Sequence, residues 1–363
     1  MSLIIFILLL VALIVVHELG HMTAAKLFGI KVEEFGIGFP PRLVSKKIGE
    51  TVYSINLLFF GGFVRIFGET KGEGEHDPRS FAHKSKWIQV AVVAAGIFCN
   101  IIFAWLILSV GYMVGLPTTV DHIGIGQVQD AKATIVGILP NSPAEKAKMQ
   151  PGDSITSIAT GENVMLEPQT AQAAQDFIKA HQDESLVIAT KSEQGVSSTY
   201  VVKAEEGLVE GKKAVGMQLD DVGILRLPVH LALYQGALLT WNMTQQTAIG
   251  LITFFGQVAR GIADFNSVAG PIGIATIGSK AVSTGFSAAV SLIALISINL
   301  ALINVLPIPG LDGGRIFIIA IEGLTRRSLS EKWLAYLSYA GFGALILLML
   351  VVSYHDILRL IAS

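Results

Sequence analysis

The chain is short of charge. Lys and Arg together number 26 and Asp and Glu 28 among 363 residues, for a formal net charge of −2. Without a basic excess there is no electrostatic footprint for nucleic acid, and that function class is set aside. Cysteine is nearly absent too. The single Cys99 lies in an apolar run, so no internal disulfide can form and the redox compartment is not readable from cysteine usage. Cys99 itself reads as a small buried apolar side chain. Also missing, around the apolar N-terminal run, are a basic n-region and a small-residue cleavage site. That run is therefore expected to be kept as a span rather than removed as a signal peptide. What the chain has in excess is hydrophobic residues, 52% of the total, with a positive mean hydropathy. This balance points to a polytopic α-helical membrane protein whose main surroundings are the lipid bilayer.

Residues 1–28 hold the first expected transmembrane helix, long enough to cross hydrocarbon. Residues 29–86 read differently. Phe35, Ile37 and Phe39 alternate with Gly36 and Gly38, and Tyr53, Ile55, Leu57 and Phe59 alternate again. A period of two is a strand signal, so 30–68 is expected to form a small membrane-associated β-sheet or hairpin, followed by a Gly-rich loop. Residues 87–117 hold the second span, and 118–222, lower in hydropathy, an inserted soluble domain. Residues 223–285 are an amphipathic, interfacial region that includes GPIGI; within it 229–262 interleave apolar groups with Gln, Asn and Thr and are expected to form an amphipathic helix or helix pair at the interface, with a short further span as the alternative. Residues 286–334 hold the third span, a Pro/Gly break and a basic loop; 335–363 hold the fourth span. Arg42, Lys46, Lys47, Lys84 and Lys86 in one loop, with Arg315, Arg326, Arg327 and Lys332 in the other, assign both loops to the cytoplasm. Both termini and the 118–222 domain then fall on the opposite side.

The chemistry is concentrated at the end of the first span, which reads His17-Glu18-Leu19-Gly20-His21. Histidines four apart on a helix share one face and reach one metal ion. In an HExxH helix the glutamate does not bind the ion but takes a proton from the attacking water. Two imidazoles and a carboxylate suit catalytic Zn²⁺, which lowers the pKa of its water towards about 7. As a chance pattern on a solvated helix the cluster would need no explanation. In an apolar span each ionisable group costs about 2.5 kcal/mol or more, and such groups are functional by default. The third ligand candidate is Asp312, in Asn304-Val305-Leu306-Pro307-Ile308-Pro309-Gly310-Leu311-Asp312-Gly313-Gly314. The prolines break the helix, and at membrane depth irregular backbone persists only where protein or water satisfies it. The other histidines, His76, His83, His122, His181, His230 and His355, show no ligand spacing.

HELGH in the first span and NVLPIPGLDGG before the last resemble the site-2 protease family of intramembrane metalloproteases. Within it, the bacterial branch of the regulator-of-sigma-E protease type is most similar. Residues 35–43 (FGIGFPPRL), 59–69 (FFGGFVRIFGE) and 268–275 (VAGPIGIA) resemble further segments of that branch, in the same order. Pro40 and Phe63 depart from its usual Gly and Tyr. The resemblance implies zinc held by His17, His21 and Asp312, with Glu18 as general base. Asn304 would hold substrate or stabilise the oxyanion. The β-segment at 52–67, with Gly61 and Gly62, would bind unwound substrate as an added strand, which satisfies the backbone groups a cut helix exposes. It further implies regulated intramembrane proteolysis of single-span membrane proteins already shortened by a first protease, anti-sigma factors above all and remnant signal peptides as a second class. In a Gram-negative host the address would be the cell inner membrane, with the active site near the cytoplasmic side.

Residues 134–158 resemble a PDZ domain: a strand, a short helix opened by Ser142-Pro143, then Pro151-Gly152-Asp153 turning into a strand. Residues 169–181 are expected to be its second helix, and 185–190 and 199–203 further strands. One copy is apparent, on the periplasmic side, either binding a peptide or gating access. Two rivals belong to other classes: a zinc-binding membrane transporter, and a non-catalytic PDZ scaffold. A transporter has no need of a Glu directly after the first His, and the full set of His17, Glu18, His21 and Asp312 speaks against a vestigial site.

Overall fold

A computed structural model of the chain describes residues 1–69, 74, 76–120, 128–161, 165–192, 195–209, 212–262, 269–326 and 330–362. His122, Arg327 and the first residue of the 268–275 motif lie outside them. The chain divides into two compact units, one of 1–109 with 235–363 and one of 110–234.

The first unit is built on apolar helices. Helix α1 (Ser2–Leu27) leads into strands β1 (Val32–Ile48) and β2 (Thr51–Ile66), and helix α2 (Lys86–Val114) follows. Among the described residues, four helices are long and apolar enough to cross a membrane: Ser2–Leu27, Lys86–Val114, Phe286–Val305 and Tyr339–Leu358. Between lipid-facing helices, apolar burial gives little drive to associate, so close packing of small residues carries the contact. The sequence supplies those residues where helices meet. A Cβ on Gly20 would come within 2.6 Å of the Ala95 carbonyl oxygen, and one on Gly278 within 2.3 Å of the Phe6 ring. Phe6, Leu13 and Ile293 form one buried cluster; Ala25, Val32, Ile66, Val92 and Ile319 belong to another.

The two strands turn at Gly49, whose φ of 62° a side chain would disfavour. They are long enough to bend back on themselves. Glu34 stands beside both Arg65 and Val52, Ile37 beside both Gly62 and Ile55, and Lys46 beside Tyr53. Four segments therefore lie abreast, in the order 62–66, 32–37, 52–56, 42–48. The 62–66 segment is an edge, with no further strand beside it among the described residues. The far half of the hairpin exposes Leu43, Val44, Ile48, Leu57 and Leu58, an apolar surface of the kind that meets lipid or a partner.

The second unit carries a sheet in the order β3 (Leu116–Thr119), β11 (Met217–Leu225), β4 (Gln129–Ile138), β5 (Ser154–Thr160), β7 (Ser185–Lys191), β8 (Ser197–Lys203), with β6 (Met165–Leu166) beside β5 and a separate pair, β9 (Glu205–Val209) and β10 (Lys212–Ala214). Strict alternation drives the core: Leu186, Ile188 and Thr190 of β7 face inward, while Ser185 and Lys191 are exposed. Helix α3 (Pro143–Lys146) starts where the Ser142 side chain accepts from the Glu145 N–H, and Thr170 caps α4 (Ala171–Ala180) in the same way.

After α5 (Val229–Ala259), the chain returns as α6 (Pro271–Thr284), α7 (Phe286–Val305), α8 (Asp312–Thr325) and α9 (Glu331–Ala362). Residues 229–259, expected as one helix or a pair, form a single helix of 31 residues. One stretch differs from the sequence expectation. Within 307–334, read as a break and a basic loop, lies the 14-residue α8. The basic residues drew that segment towards a loop, yet Gly313, Gly314 and Ile319 give it a buried face.

Candidate metal centre

His17 and His21 lie on consecutive turns of α1, with their rings edge to face at 4.7 Å. Both are largely buried. They fit against α2 because Gly96 has no side chain: a Cβ there would stand 2.4 Å from His21 Nε2 and 2.9 Å from His17 Cε1. Asp312 opens α8, and its position depends on the two glycines that follow. A Cβ on Gly313 would meet the Val305 carbonyl oxygen at 2.2 Å, and one on Gly314 the Ile308 oxygen at 2.2 Å. The pair is needed for space rather than for an unusual backbone angle. Without side chains, α8 folds tightly over the Pro307–Pro309 break and brings Asp312 to the histidines.

There, Asp312 Oδ2 lies 3.1 Å from His17 Nε2 and 3.3 Å from His21 Nε2, and the two Nε2 atoms are 3.2 Å apart. No hydrogen bond reaches that carboxylate oxygen. His21 Nδ1 is 3.0 Å from the Val92 carbonyl, which can only accept, so His21 carries a proton on Nδ1 and, as the neutral imidazole, presents a bare Nε2. Acceptor atoms turned on one another need a cation between them. Tetrahedral ligands about 2.0–2.1 Å from zinc stand roughly 3.3–3.4 Å from one another, close to the separations found. Among the described residues, this is the one trio of His, Cys, Asp or Glu with ligand atoms converging in this way, all within 4.8 Å.

These groups line a cavity of about 230 Å³ together with Glu18, Gly62, Phe63, Val64, Ile66, Glu69 and Arg315. Val64 lines it from the sheet's edge segment, and a Cβ on Gly62 would stand 3.2 Å from Glu18 Cγ and 3.4 Å from Ile14 Cγ2. Arg315 pairs with Glu69 and lies 4.8 Å over the Phe81 ring. Of the residues singled out in sequence, the structure thus gathers His17, Glu18, His21, Asp312 and Gly62. Gly61 instead faces the Phe39 ring. Asn304 is buried in the last turn of α7 and is not among the residues lining the cavity.

The pattern of peptidase family M50 matches residues 5–349. The chain belongs to peptidase family M50. This is the site-2 protease family, and the protein is a zinc metalloprotease with several membrane-spanning helices. A Clostridium perfringens protein, provisionally named a zinc metalloprotease, is 31% identical over 96% of this chain and 96% of its own length. The zinc metalloprotease RasP of Bacillus licheniformis is 28% identical over 98% of each chain. The regulator of sigma-W protease RasP of Bacillus subtilis is 27% identical, again over 98% of each.

Sequence reasoning missed the groups around this M50 centre. Gly96 and Asn100 stand four apart in α2, and both face α1: Asn100 is fully buried, with Nδ2 placed 3.2 Å from His17 Nδ1. An amide inside an otherwise apolar span was the available signal. The Val92 carbonyl is a backbone group, which no side-chain pattern could have flagged.

Proposed function

We propose that this M50 protease cleaves single-span membrane proteins at a zinc site formed by His17, His21 and Asp312, with Glu18 as general base. The observation that carries the reading is the convergence of three acceptor atoms at 3.1–3.3 Å, on a cavity that also holds Glu18. A zinc ion held there supplies a Lewis acid that polarises the scissile carbonyl and acidifies the attacking water. Glu18 takes the water's proton and passes it to the leaving amine.

Substrate enters as an unwound strand along 62–66. That edge is unpaired among the described residues, and Gly62, Phe63 and Val64 line the cavity, so a strand added there passes beside Glu18. Gly61 and Gly62 keep the edge free of bulk, and Asn304 has a supporting role at the oxyanion on the strength of the family resemblance. The exposed apolar half of the hairpin rests in the membrane. The 118–222 region is a PDZ-like domain on the periplasmic side that binds a peptide or gates access, and the active site is near the cytoplasmic face of the inner membrane. The sigma-W regulatory name of one relative supports anti-sigma factors shortened by a first cut as the substrate class.

The test is cleavage of a tagged single-span substrate in liposomes by wild type and Glu18→Gln, with zinc content measured for each. Cleavage by wild type alone, with equal zinc in both, sustains the reading. A wild-type protein without zinc, or a Glu18→Gln variant that cuts normally, overturns it.

A further inference from the structure

A zinc-binding imidazole has to present one bare nitrogen, so its proton sits on the other and needs an acceptor. His21 meets this demand through the Val92 carbonyl, 3.0 Å from its Nδ1. His17 has the same demand. The group facing its Nδ1 is the Asn100 carboxamide, fully buried, with Nδ2 at 3.2 Å. In that orientation the amide would donate, Nδ1 would be bare, and the His17 proton would sit on Nε2. It would then point at His21 Nε2 and Asp312 Oδ2, where it would exclude a cation. The Asn100 Oδ1, meanwhile, is buried without a hydrogen-bond partner. A carboxamide is nearly symmetric in shape. A half-turn about its terminal bond brings the oxygen to His17 and gives up no bond that the oxygen makes.

We propose that Asn100 is a positioning residue for the metal centre: its side-chain carbonyl accepts the Nδ1 proton of His17 and fixes the tautomer and ring orientation that leave Nε2 free for the ion. The inference rests on the zinc reading of His17, His21 and Asp312 and adds a partner on a third element. The position is itself held. Ser297 of α7, fully buried, donates its hydroxyl to the Asn100 backbone carbonyl at 2.8 Å. One turn earlier, Gly96 leaves room for both rings. Helix α2 thus serves each histidine differently, one by a backbone carbonyl and one by a side chain, and only the second can be altered by mutation.

The test uses the full-length protein in detergent. Zinc affinity is measured by competition with a chromogenic chelator, and the cobalt-substituted protein supplies a visible spectrum that reports on the ligands. Four proteins are compared: wild type, Asn100→Asp, Asn100→Leu and His17→Ala. Asp keeps an acceptor and cannot donate; Leu fills a similar volume and does neither. Loss of an outer-shell partner of a metal ligand lowers affinity about 10–100-fold, and that is the result expected for Asn100→Leu. Asn100→Asp should bind zinc about as well as wild type, with displaced cobalt bands because a carboxylate makes the imidazole a stronger donor. Asn100→Leu binding as tightly as wild type overturns the proposal. So does Asn100→Asp losing as much affinity as Asn100→Leu, since the amide N–H would then be the group that matters. If Asn100→Leu does not fold, Asn100→Asp decides alone: retained affinity supports an acceptor, and a fall to the level of His17→Ala overturns it. A wild-type protein that binds no zinc removes the underlying metal reading and the proposal together.

Discussion

Two aspartates serve the apolar helices of this protein, and they are held in opposite ways. Asp356, in α9, is 3% exposed, and its two oxygens accept from the backbone N–H groups of Gly270 and Gly273 at 3.2 and 2.8 Å. Those are donors left over at the start of α6, where the helix dipole also favours an anion. Asp312 opens its own helix, and its Oδ2 faces two imidazole nitrogens with no hydrogen bond to it. A buried carboxylate saturated by backbone donors is complete and acts as a tie between elements. One that faces other acceptors is complete only with a cation. The same residue type is structural in one place and chemical in the other, and the partners decide which.

The comparison extends to four predictions. The largest effect belongs to Glu18→Gln. General-base catalysis contributes about 10²–10⁴-fold, so cleavage of a model substrate should fall by that factor while zinc content, read by metal analysis, is unchanged. Next is Gly96→Ala. The new methyl would strike both rings, and zinc affinity by chelator competition should fall at least about 10-fold. Unchanged affinity would mean that α2 does not set the ring positions. The sharpest test is the pair Asp312→Asn and Asp356→Asn. The first should weaken zinc binding and leave the thermal unfolding of the zinc-free protein nearly unmoved. The second should leave zinc affinity alone and cost about 1–3 kcal/mol of stability, since an amide cannot accept from both glycine N–H groups as a carboxylate does. Equal behaviour of the two variants would break the distinction. Smallest is Ser142→Ala in the second unit, which removes the α3 cap. It should cost about 1 kcal/mol in thermal unfolding, with no change in zinc binding.

Only one of the two aspartates was legible in sequence. Asp312 stands in a patterned stretch of Pro and Gly, and HELGH supplies the demand for a third ligand. Asp356 has no motif around it, and the glycines it holds are far away along the chain. The GPIGI segment drew notice as a stretch resembling the family, yet it presents free N–H groups to α9. The glycines after Asp312 stand out in the sequence, but the tight approach of their backbone to Val305 and Ile308 is a packing fact that no local pattern carries. The alternation in 30–68 foretold strands. That the strands double over, leaving 62–66 as an edge beside Glu18, depends on pairings between residues distant in sequence. Helix α8 was hidden because Arg315 and Arg326 weigh towards a loop in any reading by charge.

His17 and His21 are on the first helix, and Asp312 is near the far end of the chain. During synthesis the first two are made and inserted early, and the third arrives only when most of the protein exists. A half-made chain therefore cannot cut whatever passes beside it in the bilayer. On the proposed ligand set, a bound ion would also join what the chain order separates, tying α1 to α8, and such closures limit unfolding more the longer the loop they span. Stripping the metal should consequently loosen the first helix as well as silence the enzyme.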